Sequence, residues 1–309
     1  MKLAVHMVPG QGTEDVAVVT SGRYAGWVYT GTDDGSILRV RPDGAQIEQV
    51  ATTRGRPLGI EVLPDGRLVV CDAHRGLLRV DPADGAVEVL VGQVGGLPMR
   101  LCNNAAVASD GSVWFSDSSS RFGQNRWKDE MLRRTRTGRL LHWVEGGEVE
   151  VVLDGLDFAN GVALAPDGTF LVVAETSGRR LLRVWLTGQQ AWQREVFAGD
   201  LPGYPDNVST GSDGLIWVAL ASPTDRLVSA LHATPSWFAG QVTRIPQRWQ
   251  PAPRRTVRAR AYDADGRCVH DLDLPADGFH MVTGVREHDG VVWFGSLHEP
   301  AIASVRLAP

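Results

Sequence analysis

The chain has 309 residues, a formal net charge of -5, 43% hydrophobic residues and three cysteines. It has no basic excess to neutralise phosphates, which excludes nucleic acid as a partner. Cys71, Cys102 and Cys268 are too few and too unpatterned for a disulfide framework or a thiolate zinc site. No run approaches the ~18 apolar residues of a membrane span, and the apolar part of MKLAVHMVPG is too short for a secretion signal. A soluble cytoplasmic protein with no membrane partner is expected.

In chain order, Lys2 to Val8 is an apolar strand with no local partner. Six copies of one unit follow: an apolar strand, a glycine turn, a strongly apolar strand, a turn and an alternating strand. The copies begin near Glu14, Arg56, Leu101, Phe158, Tyr204 and Phe279, with turn glycines Gly22, Gly66, Gly111, Gly168, Gly214 and Gly290. Short strands joined by Asp-Gly turns mark antiparallel meanders. A period of roughly 45 residues is that of a four-stranded propeller blade. The prediction is one all-β domain over 1–309, a six-bladed β-propeller with four antiparallel strands per blade, closed by the N-terminal strand as the missing strand of the last blade. Insertions at 121–137 and 222–258, the second with a short helix, leave the same face and serve as a lid or pocket wall.

Counting back eight residues from four of the turn glycines gives Glu14, Asn103, Asn160 and Asp206; the same count gives Leu58 and Val282 in copies 2 and 6. In a propeller these positions start the inner strands and converge on the axis. Four oxygen donors there, with Asn207 as a fifth, form a site for a hard cation. The set contains no cysteine or histidine, which favours Ca²⁺, with Mg²⁺, Mn²⁺ or Zn²⁺ as alternatives. Each residue alone is ordinary turn chemistry; the shared register carries the reading.

Counting eight residues forward from the turn glycines gives His74, Ser119, Thr176, Ser222 and His298 on loops of the same face. His74 is a candidate general base. Arg56, Phe158, Tyr204 and His280, two residues before the register, and His298 are candidate substrate contacts for a small organic molecule.

FANGVALAPDG with LVVAET and RRLLRVWL, then LPGYPDN, then EHDGVVWFGSL, resemble the strictosidine synthase-like proteins. Those belong to a superfamily with gluconolactonases and paraoxonase-type lactonases. The resemblance spans Glu14 to about Leu307 and implies a six-bladed propeller with central Ca²⁺. It implies Glu14, Asn103, Asn160 and Asp206 as metal ligands, Asn207 as a further one, and Asp206 as the group that activates water. It sets His74 near one histidine of a paraoxonase dyad, with Leu58 at the place of the other. Strictosidine synthase proper needs a glutamate where this chain has Met281, Val282 and Thr283. A second, deeper metal in some relatives uses an aspartate where this chain has Asn104, although Asp15 is nearby.

The expected function is a Ca²⁺-dependent hydrolase acting on a lactone or related ester, with Asp206 or His74 taking the proton. The alternatives are a non-hydrolytic enzyme of secondary metabolism in the same pocket, and a non-catalytic ligand-binding propeller with a structural ion.

Overall fold

The computed structural model describes residues 1–232, 234 and 254–308. Six four-stranded antiparallel sheets follow one another as blades. Their inner strands are Val16–Val18, Pro57–Val62, Cys102–Val107, Ala159–Leu164, Gly203–Thr210 and Val282–His288, in blades 1 to 6. The closing strand is where the sequence places it. Ala4–Met7 pairs antiparallel with Ala301–Arg306, Ala4 facing Ser304 and Met7 facing Ala301, and forms the outermost strand of blade 6. The ring is thereby fastened by residues from both ends of the chain, with no blade left one strand short.

The second strands explain why the sheets stack. Leu68–Asp72, Val113–Asp117 and Phe170–Glu175 are buried at every position. A strand covered on both faces by neighbouring sheets is apolar throughout rather than alternating. One such interface joins Trp217 and Ala259 of blade 5 to Phe279, Val285 and Phe294 of blade 6. Each large side chain buried there contributes roughly 1.5–3 kcal/mol. Cys71 and Cys102 pack between blades 2 and 3 as buried thiols, and Cys268 is exposed.

The two insertions carry helix α1, Trp127–Arg133, and helix α2, Arg226–His232. α1 is anchored by buried Glu130, which accepts from Ser119 Oγ at 2.7 Å and from Thr135. Asp225 caps α2, accepting from Leu227 N at 2.7 Å and Val228 N at 3.1 Å. Residues 235–253 of the second insertion lie outside the described residues. Among the described residues, no helix is long and apolar enough to cross a membrane.

Candidate metal centre

Each inner strand from blade 2 to blade 6 carries a β-bulge at its start. The pairing slips between Pro57 and Ile60, Cys102 and Ala105, Ala159 and Val162, Pro205 and Val208, and Val282 and Val285. Two residues sit inside each slip: Leu58-Gly59, Asn103-Asn104, Asn160-Gly161, Asp206-Asn207 and Thr283-Gly284. Glu14-Asp15 occupies the same place before Val16. A bulge turns side chains out of the ladder, and here it delivers the register residues to the axis.

The second residue of each pair alternates. Blades 2, 4 and 6 have Gly59, Gly161 and Gly284; blades 1, 3 and 5 have Asp15, Asn104 and Asn207. The glycines are abutted by the next blade. A Cβ on Gly59 would lie 2.6 Å from Asn104 Cα, one on Gly161 2.0 Å from Val208 N, and one on Gly284 2.7 Å from Asp15 Cα. At this level the axis accommodates side chains from three blades, not six.

Asp15 and Asn104 reach across those glycines. Asp15 Oδ2 accepts from Ile60 N at 3.0 Å and from Asn104 Nδ2 at 3.4 Å, and Asn104 Oδ1 accepts from Val162 N at 2.8 Å. Burial pushes the Asp15 carboxyl up to about 7, opposed by the Arg286 guanidinium. The deeper polar cluster is thus satisfied by the protein's own groups. Asn207 breaks the series: both Oδ1 and Nδ2 are buried without a partner.

One layer up, the amides are held by their nitrogens. Asn103 Nδ2 donates to Ser118 Oγ at 2.8 Å and Asn160 Nδ2 to Thr176 Oγ1 at 3.1 Å. Their Oδ1 atoms, together with Glu14 Oε2 and Asp206 Oδ1, are buried and accept no hydrogen bond. Arg56 Nη2 lies 3.5 Å from Glu14 Oε2, which offsets charge without hydrogen-bond alignment. Thr283 Oγ1 donates to the Glu14 backbone oxygen at 2.8 Å. Burial raises the Glu14 carboxyl, with Arg56 opposing, and burial followed by the Glu14 charge raises Asp206 well above the carboxylate range. Five unpartnered side-chain oxygens from four blades fit a hard divalent cation: two carboxylates and three amides, all oxygen. Among the described residues no three His, Cys, Asp or Glu side chains form a metal cluster, since this set relies on amides.

Above this floor opens a cavity of about 170 Å³ lined by Glu14, Asn103, Asn160 and Asp206, with Phe158 and Tyr204 on its wall. Of the remaining predicted contacts, His280 and His298 are displaced by one residue. The hairpin of blade 6 is shorter: His288 pairs with Val291 around Asp289 and Gly290, both at positive φ, in a two-residue turn. Counting from Gly290 therefore lands one residue early on the inner strand, and Thr283, not Val282, is the register residue. Met281 accordingly lines the cavity where His280 was expected. His280 turns to Glu299 instead, with His298 6.1 Å away ring to ring. Arg56 does not line the cavity and donates to the Gly12 backbone oxygen at 2.8 Å.

The loop count overshoots in blades 2, 3 and 6. The backbone bonds Ala73 N to Arg56 O, Ser118 N to Leu101 O, Thr176 N to Phe158 O and Leu297 N to Met281 O define one equivalent position. It holds Ala73, Ser118, Thr176 and Leu297. His74 and His298 follow it by one residue, where both are exposed and neither lines the cavity. Ser118 and Thr176, which orient the two amides, were the residues to find; only Thr176 fell on the count.

The SMP-30/Gluconolactonase/LRE-like region model matches residues 22–230. Protein STRICTOSIDINE SYNTHASE-LIKE 10 of Arabidopsis thaliana is 33% identical over 96% of this chain and 85% of its own length. A gluconolactonase from Xanthomonas campestris superposes with a TM-score of 0.72 at 18% identity, covering 99% of this chain and 89% of that one. Regucalcin from Agrobacterium tumefaciens, a calcium-binding protein, does so with 0.67 at 15% identity, over 99% and 97%. Fold, family model and relatives agree: this chain belongs to the SMP-30/gluconolactonase/LRE-like family, among its strictosidine synthase-like members.

Proposed function

We propose that this protein is a Ca²⁺-dependent hydrolase of lactones or related esters. The observation that carries the reading is the set of five buried, unpartnered oxygens: Glu14 Oε2 and the Oδ1 atoms of Asn103, Asn160, Asp206 and Asn207. A buried acceptor without a partner costs about 1–3 kcal/mol, so five around one axis are explained by a cation that the fold is built to receive. Ca²⁺ takes roughly 6–8 oxygens, which leaves positions for water and a carbonyl oxygen. Mg²⁺, Mn²⁺ and Zn²⁺ are less well matched to a pure oxygen set with three neutral amides.

A bound Ca²⁺ would supply Lewis acidity towards the carbonyl oxygen and charge compensation for the oxyanion. The protein's part falls to three groups. Ser118 and Thr176 hold the Asn103 and Asn160 amides with oxygens inward, so the site is preformed. Asp206 is the proton acceptor: it lines the cavity and is half-buried, whereas Glu14, Asn103, Asn160 and Asn207 are at most 4% exposed, so it is the most exposed of the five. An amine–aldehyde condensation is disfavoured, because blade 6 presents Met281 and Leu297 to the cavity and no carboxylate.

The test separates the roles. Asp206→Asn keeps an oxygen ligand and removes the base; turnover on a panel of lactones and esters should fall at least 100-fold while Ca²⁺ binding persists. Wild-type turnover in Asp206→Asn would overturn this assignment.

A further inference from the structure

Resting on the hydrolase reading, we infer that the substrate carries an apolar alkyl or aryl substituent rather than ring hydroxyls, seated against Phe158 and Met281 and under helices α1 and α2. The cavity is polar at its floor, where the cation set lies, and apolar above it. Leu58, Phe158, Met281 and Leu297 come from the propeller; Trp127 and Met131 come from α1, and Leu231 from α2.

Two further observations single out this wall. Phe158 and Met281 stand at the same structural position in blades 4 and 6, and both have left-handed backbones, with φ of 65° and 53°. A bulky residue there costs of order 1–3 kcal/mol and persists where the surroundings enforce it. Leu227 lines the cavity and is 50% exposed, so its side chain is open to an apolar group. The two helices are joined by His232 Nε2 and the Met131 backbone oxygen, 3.0 Å apart.

The wall offers a polyol little in return. Thr176 Oγ1 is committed to Pro205 O at 2.7 Å and to the Asn160 amide. The Tyr204 hydroxyl accepts from Asp225 N at 3.4 Å. Gln124, Lys128, Ser222 and Asp225 are the other polar residues of the lining, and Leu132, Ala221 and Val228 add to its apolar part. Each sugar hydroxyl turned to Leu58, Phe158 and Met281 would lose its water without replacement, whereas each methylene laid there gains about fourfold in affinity.

The experiment uses the Ca²⁺-loaded full chain with γ-lactones whose side chain lengthens from methyl to octyl, and with glucono-δ-lactone as the hydroxylated ring. The matching γ-lactams, which resist hydrolysis, are titrated calorimetrically. The expected result is a kcat/KM that rises about fourfold per methylene until the cavity fills, and lactam affinities that rise in parallel. Leu227→Ser should flatten that slope. Hydrolysis of glucono-δ-lactone as fast as of the octyl lactone overturns the inference and leaves the hydrolase reading standing. Lactam binding that strengthens with chain length, without turnover of any lactone, upholds the inference about the ligand and overturns the hydrolase reading. Absence of both overturns both.

Discussion

Asn160 donates its side-chain nitrogen to Thr176 Oγ1 at 3.1 Å and leaves its buried Oδ1 without a protein partner. The hydroxyl fixes which end of the amide faces the axis. Thr176→Val removes that restraint without touching the oxygen set. Ca²⁺ affinity should fall by about 10–100-fold, the usual effect of losing a partner that orients a ligand. Asn160→Ala removes an oxygen outright and should lower affinity further. Calorimetric titration of the stripped variants measures both; unchanged affinity in both would deny Asn160 its place in the site.

The cation and pH are linked through the same floor. Glu14, Asp15 and Asp206 are all held above the ordinary carboxylate range, by burial first. Without a cation, the folded chain binds protons that the unfolded chain has released. Stability from these groups is complete below their unfolded values and is lost as pH rises, for Asp15 between 3.8 and about 7. Ca²⁺ compensates the Glu14 and Asp206 carboxylates once they ionise. The rise in Tm on adding Ca²⁺ should therefore be small near pH 5 and larger near pH 8. A Tm shift independent of pH would contradict the linkage.

Gly161 tests the alternation around the axis. A Cβ there would meet Val208 N at 2.0 Å and the Asn207 carbonyl carbon at 2.5 Å, both backbone atoms that cannot swing aside. Gly161→Ala should destabilise by more than about 3 kcal/mol, in the range of severe core substitutions. Denaturant unfolding measures it, with Gly168→Ala, which meets nothing within 4 Å but has φ of 68°, as a milder reference. Equal stability of the two variants would show that the blades can separate at the axis.

The closing strand makes a prediction about the whole ring. Removing residues 1–9 strips the hydrogen-bonding partner from Ala301–Arg306 and exposes blade 6 along its length. A loss of several kcal/mol is expected, of order 10 °C in Tm for a chain of this size. A truncated protein that melted with the full chain would contradict the closure.

Much of this was legible because repetition amplifies weak signals. Glu14, Asn103, Asn160 and Asp206 share one spacing from a turn glycine, because the run from the start of the inner strand to that glycine has the same number of residues in these blades. The count failed where a local turn differed. The Asp289-Gly290 hairpin is one residue tighter, which moved Thr283 and Met281 into the places assigned to Val282 and His280. The overshoot at His74 and His298 has the same character: in a strand a slip of one residue reverses the side chain's direction, so two histidines on the correct face still miss the cavity. The pairing of each amide with a hydroxyl, the glycine alternation and the Asp15–Asn104 contact depend on distances between blades, to which spacing along the chain is blind.

The measurement closest to the central claim is a Ca²⁺ titration of chelator-stripped protein, read at once as bound ion and as rate of lactone hydrolysis. The five-oxygen site predicts no turnover in the stripped protein and recovery that saturates at one ion per chain, in step with binding. Full hydrolytic activity in the stripped protein, or one bound ion that raises Tm while every lactone and ester stays intact, would contradict it.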